Sequence, residues 1–134
     1  MILGIGTDLV EIERIEEGLR RFGERLERRL FTPAESRLCE ARRAQRSACF
    51  AKRFAAKEAL VKALGTGMRE GIWFTDIEVL PGNDGQPFLF FSGETGRRLA
   101  ALGQLRVHLS LSDERGFALA MVVLERVRRD APSH

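Results

Sequence analysis

The residues of this chain that could do chemistry gather in three places. The first is Asp8. In an extended stretch, Ile2, Gly4, Gly6, Asp8 and Val10 fall on one side, with Leu3, Ile5, Thr7 and Leu9 on the other. Glycine weakens a strand interior unless another backbone or a ligand must come close, so the Asp8 side reads as an approachable face; the plain alternative is a bulge with Asp8 capping the next helix. The second place is a cluster of lysines. Of 22 basic residues, 19 are arginine, and the three lysines, Lys52, Lys57 and Lys62, lie within eleven residues. An ammonium is a compact, strongly hydrated point charge where a guanidinium is a planar fork, so the cluster marks a segment that wants point charges. Glu58 and Lys62, four apart and flanked by Ala51 and Ala55, set an acid and a base beside small residues that leave room for a ligand. As a plain helix-surface pair they would be worth about 0.3–0.5 kcal/mol. Lys57 falls in the middle of the apolar stripe Phe50, Phe54, Val61 and Leu64, which a surface pair does not explain. The third place is His108, Ser110 and Ser112, which alternate with Leu105, Val107, Leu109 and Leu111. That polar strand face can donate to phosphate oxygens, or simply be solvated.

The elements that must position these groups follow from periodicity and punctuation. Ile2 to Val10 reads as a strand. Ile12, Ile15, Leu19, Phe22, Leu26 and Leu30 recur in threes and fours, predicting an amphipathic helix broken or bent at Gly23. At about 100° per residue, Arg14, Arg21, Arg25 and Arg28 share one stripe of that helix, a solvated face or a docking face for an acidic partner. Thr32-Pro33-Ala34-Glu35 carries an N-cap, a proline at the first helical position and an acid in the first turn, predicting a second helix. The third, from about Ser47 to Leu64, carries the lysines and closes at Gly65-Thr66-Gly67. A helix C-terminus repels anions, so phosphate bound at that loop would need lysine or metal charge to offset the dipole, and no Walker lysine motif is present. Thr75 to Leu80 and Pro87 to Phe91 read as strands around the Pro81 to Gly85 turn, Gly93 to Gly103 holds a short helix, and the strands Leu105 to Ser112 and Phe117 to Glu125 turn at Asp113 to Gly116. The expectation is a single α+β domain over 1–127, with an antiparallel sheet packed on a long helix, and a loose tail over 128–134.

At 134 residues, 44% apolar and 31% charged, the chain has the composition of one water-soluble globular domain, and no apolar run approaches the ~20 residues of a bilayer span. Arg37 to Arg53 carries six basic residues against Glu40 alone, pointing to an acidic or phosphorylated partner. Nucleic acid is the weaker reading of that charge, because the phenylalanines interleave with core positions and no RNA-binding or helix-turn-helix signature is present. Cys39 and Cys49 lack metal-ligand spacing and no signal-like segment opens the chain, so reduced thiols and a cytoplasmic location are expected.

Three segments together resemble the bacterial holo-acyl-carrier-protein synthases, small 4′-phosphopantetheinyl transferases: Gly4 to Ile12, Phe50 to Ala59 with Lys62 and Gly65-Thr66-Gly67, and His108 to Asp113. The resemblance runs from about Leu3 to Leu124. It implies the phosphopantetheinyl transferase fold, transfer of the phosphopantetheine arm of coenzyme A to a serine of an acyl carrier protein with release of adenosine 3′,5′-bisphosphate, a magnesium ion, and a homotrimer with active sites between subunits. Carried onto matching positions, Asp8 and Glu58 would hold the metal and Lys62 would meet the pyrophosphate. Arg53, Gly65, Thr66, Gly67, His108 and Ser110 would line the coenzyme, and Arg14, Arg21 and Arg25 would face the carrier protein. For the base that takes the serine proton, Glu35 and a metal-bound water both stand. A coenzyme A binder without catalysis is the nearest other reading, and it leaves Asp8 unexplained.

Overall fold

The structure is a computed structural model that describes residues 1–65 and 71–128. A three-stranded antiparallel sheet runs in the order β1-β5-β4, from β1 (Ile2–Glu11), β5 (Phe117–Arg126) and β4 (Leu105–Glu114). The hairpin β2 (Ile77–Pro81) and β3 (Pro87–Phe91) forms a second, two-stranded sheet. Between the first two strands come α1 (Ile12–Phe22), α2 (Glu24–Leu30), α3 (Pro33–Ala41) and the 19-residue α4 (Arg46–Leu64); α5 (Gly93–Ala100) sits between β3 and β4. The architecture is the expected α+β arrangement.

The long helix is the axis of the core. Ala55, Ala59, Leu60 and Ala63 of α4 pack on Val10 of β1 and on Ala118, Ala120, Val122 and Leu124 of β5, while Ile77 and Val79 of β2 close the cluster. Both surfaces are made of small residues, so helix and sheet approach closely. A methyl group on Gly4 would overlap the Ala63 carbonyl, and one on Gly6 the Ala59 carbonyl. This corrects the reading of the glycine face as open to a ligand: the backbone that has to come close is that of α4, and the glycines set the height of Asp8 above it.

Turn chemistry fixes the ends. Gly23, at φ 59°, divides the amphipathic stretch into α1 and α2. Thr32 and Glu35 form a reciprocal capping box at the start of α3. Between β4 and β5 the turn is tighter than expected, since β4 continues to Glu114 and Arg115-Gly116 both take positive φ, the two-residue hairpin geometry that follows strand twist.

A second cluster, Leu19, Phe31, Cys39, Cys49 and Phe50, lies between the helices. Here the expectation of reduced thiols is corrected. The short 3-10 turn Arg43–Gln45 folds α4 back along α3, bringing the two Cα atoms to 5.3 Å and joining Cys39 to Cys49 as a disulfide buried in that cluster. Sequence spacing could not show this, because the turn makes the pairing.

Among the described residues, the other face of the large sheet is left exposed. Ile5, Leu9, Phe117, Leu119 and Met121 are exposed there, and His108, Ser110 and Ser112 share that face along the β4 edge.

Candidate functional site

Asp8 and Lys62 meet where β1 crosses α4. The Lys62 Nζ donates to Asp8 Oδ1 at 2.9 Å and to the Thr7 carbonyl at 3.0 Å. Side chains on a helix lean toward its N-terminus, so the Lys62 stem runs back across the turn that carries Glu58, which is half-buried on the same side of α4. Lys62 thus pairs with the strand carboxylate across 54 residues of sequence. Lys52 reaches the sheet in the same way, 2.9 Å from Asp113.

The carboxylates of Asp8 on β1 and of Glu58, one turn before Lys62 on α4, are hard oxygen donors. Among the described residues no group of three or more His, Cys, Asp or Glu side chains could hold a metal, which argues against a closed protein-only site such as structural zinc. Magnesium fits such a pair, because it takes one or two carboxylates and completes its shell with water and substrate phosphate oxygens. Asp8 and Glu58 are the residues that would hold it.

His108 and Ser110 stand elsewhere. Asp8 is opposite Ala120, which is opposite Leu111, all on the side turned to α4; His108 and Ser110 point from β4 to the uncovered side. They are thus across the full sheet, two strand spacings or about 10 Å away, and on the other face. The His108 Nε2 lies 3.0 Å from Glu125 Oε1, a contact that holds the Glu125 carboxyl below its usual range. A cleft of about 370 Å³ beside His108 is bounded by Asp84, Gln86 and Phe88 of the β2–β3 hairpin.

Lys57 and Glu35 are both fully buried, 2.6 Å apart. Lys57 also donates to the carbonyls of Leu30 and Phe74 at 2.7 and 2.9 Å, and Glu35 accepts the Thr32 and Val79 amides, each at 2.9 Å. Burial lowers the Lys57 pKa, and the Glu35 carboxylate offsets part of that shift. Both Glu35 oxygens are engaged, so of the two bases left open by sequence, Glu35 is structural. The Thr32 to Glu35 spacing was its signal, since the third helical position of a capping box turns back on the backbone. Arg53, expected along the coenzyme, is also turned inward. It is 3% exposed, its Nε donates to the Val79 carbonyl at 3.1 Å and its Nη1 to Cys49 at 3.3 Å, and burial lowers its pKa to about 10.

Gly65 closes α4 at φ 82°; Thr66 and Gly67, the rest of the expected loop, lie outside the described residues. Arg14, Arg21 and Arg25 are exposed, the first two on α1 and the third on α2, so the break at Gly23 splits the stripe between two helices. Arg20 and Arg28 are held by Glu17 and Glu24, whereas Arg21 lies over the exposed Phe22 ring, 5.4 Å from its centroid.

Among known proteins, the model of the 4′-phosphopantetheinyl transferase superfamily matches residues 4–122. The holo-[acyl-carrier-protein] synthase of Magnetococcus marinus is 53% identical over 129 residues, 93% of this chain and 94% of that protein. The protein of that name from Methylorubrum populi is 49% identical, across 95% of this chain and 96% of its own. In three dimensions the holo-[acyl-carrier-protein] synthase of Neisseria meningitidis superposes with a TM-score of 0.84 at 40% identity, covering 94% of this chain and all of that one. The Bacillus anthracis synthase, solved in complex with CoA (3′,5′-ADP), gives 0.76 at 39% identity over 95% of this chain and 99% of its own.

Proposed function

The chain belongs to the 4′-phosphopantetheinyl transferase superfamily, and from that premise we propose that it is a holo-acyl-carrier-protein synthase, moving the phosphopantetheine arm of coenzyme A onto a serine of an apo acyl carrier protein. The observation that carries the reading is the contact of Lys62 with Asp8 at the β1–α4 crossing, one turn of α4 from Glu58. In the reaction the serine oxygen forms a bond to the phosphorus that bears the pantetheine arm. The bond from that phosphorus to the bridging oxygen breaks, and the leaving group is adenosine 3′,5′-bisphosphate. A magnesium ion held by Asp8 and Glu58 would act as a Lewis acid, neutralising the charge that grows on the leaving phosphate. Lys62 stabilises the same charge from a second side with a mobile ammonium. Since Glu35 is committed to the interior, the serine proton leaves through water. The loose transition state of phosphoryl transfer asks little of the nucleophile, which leaves orientation and charge as the main contributions of the chain.

Sheet geometry supports a homotrimer. One chain turns Asp8 to α4 and His108 with Ser110 to the opposite face, so a single coenzyme contacts both sets only where two copies meet. The exposed apolar patch from Ile5 to Met121 is the surface for that contact, and a head-to-tail ring of three gives each site one set from each neighbour. The cleft beside His108 and the end of α4 at Gly65 would line the coenzyme, while Arg14, Arg21 and Arg25 would meet the acidic carrier protein. No described helix is long and apolar enough to cross a membrane, and the reading implies the cytoplasm. Incubation with apo carrier protein, coenzyme A and magnesium, followed by mass spectrometry, tests the activity: the carrier protein gains one phosphopantetheine. An unmodified carrier protein across several candidate partners would overturn the reading.

A further inference from the structure

Three lysines on one helix make three contacts with carboxylates, and they differ in how firmly they are held. Lys57 is fully buried with a carboxylate and two carbonyls as partners, so moving it would strand polar groups in the interior. Lys62 donates to the Asp8 carboxylate and the Thr7 carbonyl at the surface, and its side chain is 49% exposed against 15% for that of Asp8. Releasing it costs little, because water can reach both the ammonium and the Thr7 carbonyl it leaves. Its position nonetheless weakens metal binding at Asp8. An ammonium 2.9 Å from Asp8 Oδ1 takes one acceptor position of that carboxylate, and it repels a divalent cation on the same group.

Resting on the metal-site reading above, we infer that Lys62 is a stand-in cation: before the coenzyme binds, its ammonium neutralises Asp8 where the metal would sit, and it gives up that place when the coenzyme pyrophosphate arrives to accept it. Two consequences distinguish this from a lysine that only binds phosphate. Metal alone binds poorly, because it must expel Lys62 with no anion to receive it. Coenzyme and metal therefore bind as a coupled pair, each raising the affinity for the other by the same factor. The exchange keeps Asp8 neutralised in both states, by Lys62 before and by the metal after, while the positive charge needed at the phosphate comes from a side chain already in place.

The test is metal binding without turnover. Manganese, which is paramagnetic, is titrated into the wild-type chain, Lys62→Met and Asp8→Asn, each with and without coenzyme A and with no carrier protein, and free metal is read by electron paramagnetic resonance. Circular dichroism confirms that each variant is folded. Lys62→Met binds manganese more tightly than wild type in the absence of coenzyme, by about fivefold for a partly exposed pair. It also gains less affinity from coenzyme A than the wild type does. Asp8→Asn binds more weakly than wild type. Equal or weaker manganese binding by Lys62→Met, with Asp8→Asn still defective, overturns the stand-in role and leaves the metal site standing. Unchanged binding in Asp8→Asn removes the metal from Asp8 and overturns both.

Discussion

At the scale of single residues, position in the fold separates acids and bases that look alike in sequence. Asp8 and Glu35 are both carboxylates beside a lysine, yet Asp8 pairs with a half-exposed ammonium, while Glu35 is sealed in with Lys57 and two backbone amides. Replacing Asp8 with alanine removes charge from the rim of the fold and little core volume. Asp8→Ala is therefore expected to abolish transfer, more than 100-fold in kcat/KM, while thermal unfolding moves by no more than a few degrees; turnover near the wild-type rate at saturating magnesium would refute its assignment. Glu58→Gln is expected to fail in the same assay, because a neutral amide does not replace carboxylate charge at a hard cation.

At the scale of elements, the contact of β1 with α4 is where stability and chemistry share one geometry. Gly6 rests on the Ala59 carbonyl two residues before Asp8, so Gly6→Ala has to push the strand off the helix. The overpacking is expected to cost about 1–3 kcal/mol in urea unfolding. It also widens the gap between Asp8 and Lys62, so activity under native conditions should fall by more than the loss of folded protein explains. Parallel losses in both would make the glycine purely structural. The buried Lys57–Glu35 pair ties the end of α2, the start of α3 and β2 to the same helix. Lys57→Met leaves the Glu35 charge unpaired and is expected to cost about 3–5 kcal/mol, with part of it recovered by adding Glu35→Gln. Thermal melts of both variants check this, and equal melting temperatures for the single and double variants would mean that the charge is not what matters.

Most of these elements were legible in the sequence, because apolar spacing, the Thr32 cap and the glycine stops each act locally. The site was legible only in part. Asp8, Glu58 and Lys62 stand out as candidates by type and spacing, and the Asp8–Lys62 contact joins two of them, but the reason for Gly4 and Gly6, the inward turn of Arg53 and the Cys39–Cys49 bond all depend on which element packs against which. Those are long-range facts, and a strand pattern carries no record of the helix that will cover it.

At the scale of the whole molecule, charge is distributed by face. Arg14, Arg21 and Arg25 project from the paired short helices on either side of Gly23, and Arg21 shields an exposed Phe22 ring. Attraction between such a surface and an acidic carrier protein acts through association rate and is screened beyond about 8 Å at physiological salt. Reversing two of the charges, Arg14→Glu with Arg21→Glu, should raise KM for the carrier protein and flatten its salt dependence. The KM for coenzyme A should stay within about twofold, since that ligand is assigned to α4 and the β4 face. Comparable changes in both constants would return the stripe to a solvated helix face.

The division of Asp8 and His108 between opposite faces of one sheet has a genetic consequence. A chain defective in Asp8 still carries a sound outer face, and a chain altered to His108→Ala with Ser110→Ala still carries a sound inner one. Two such inactive chains, co-expressed or dissociated and reassembled together, should rescue each other. In randomly mixed rings about one site in four combines the sound inner face of one parent with the sound outer face of the other. If both faces of every site came from the same chain, no mixture would regain activity, so intragenic complementation reads out the architecture of the site without any structure of the assembly.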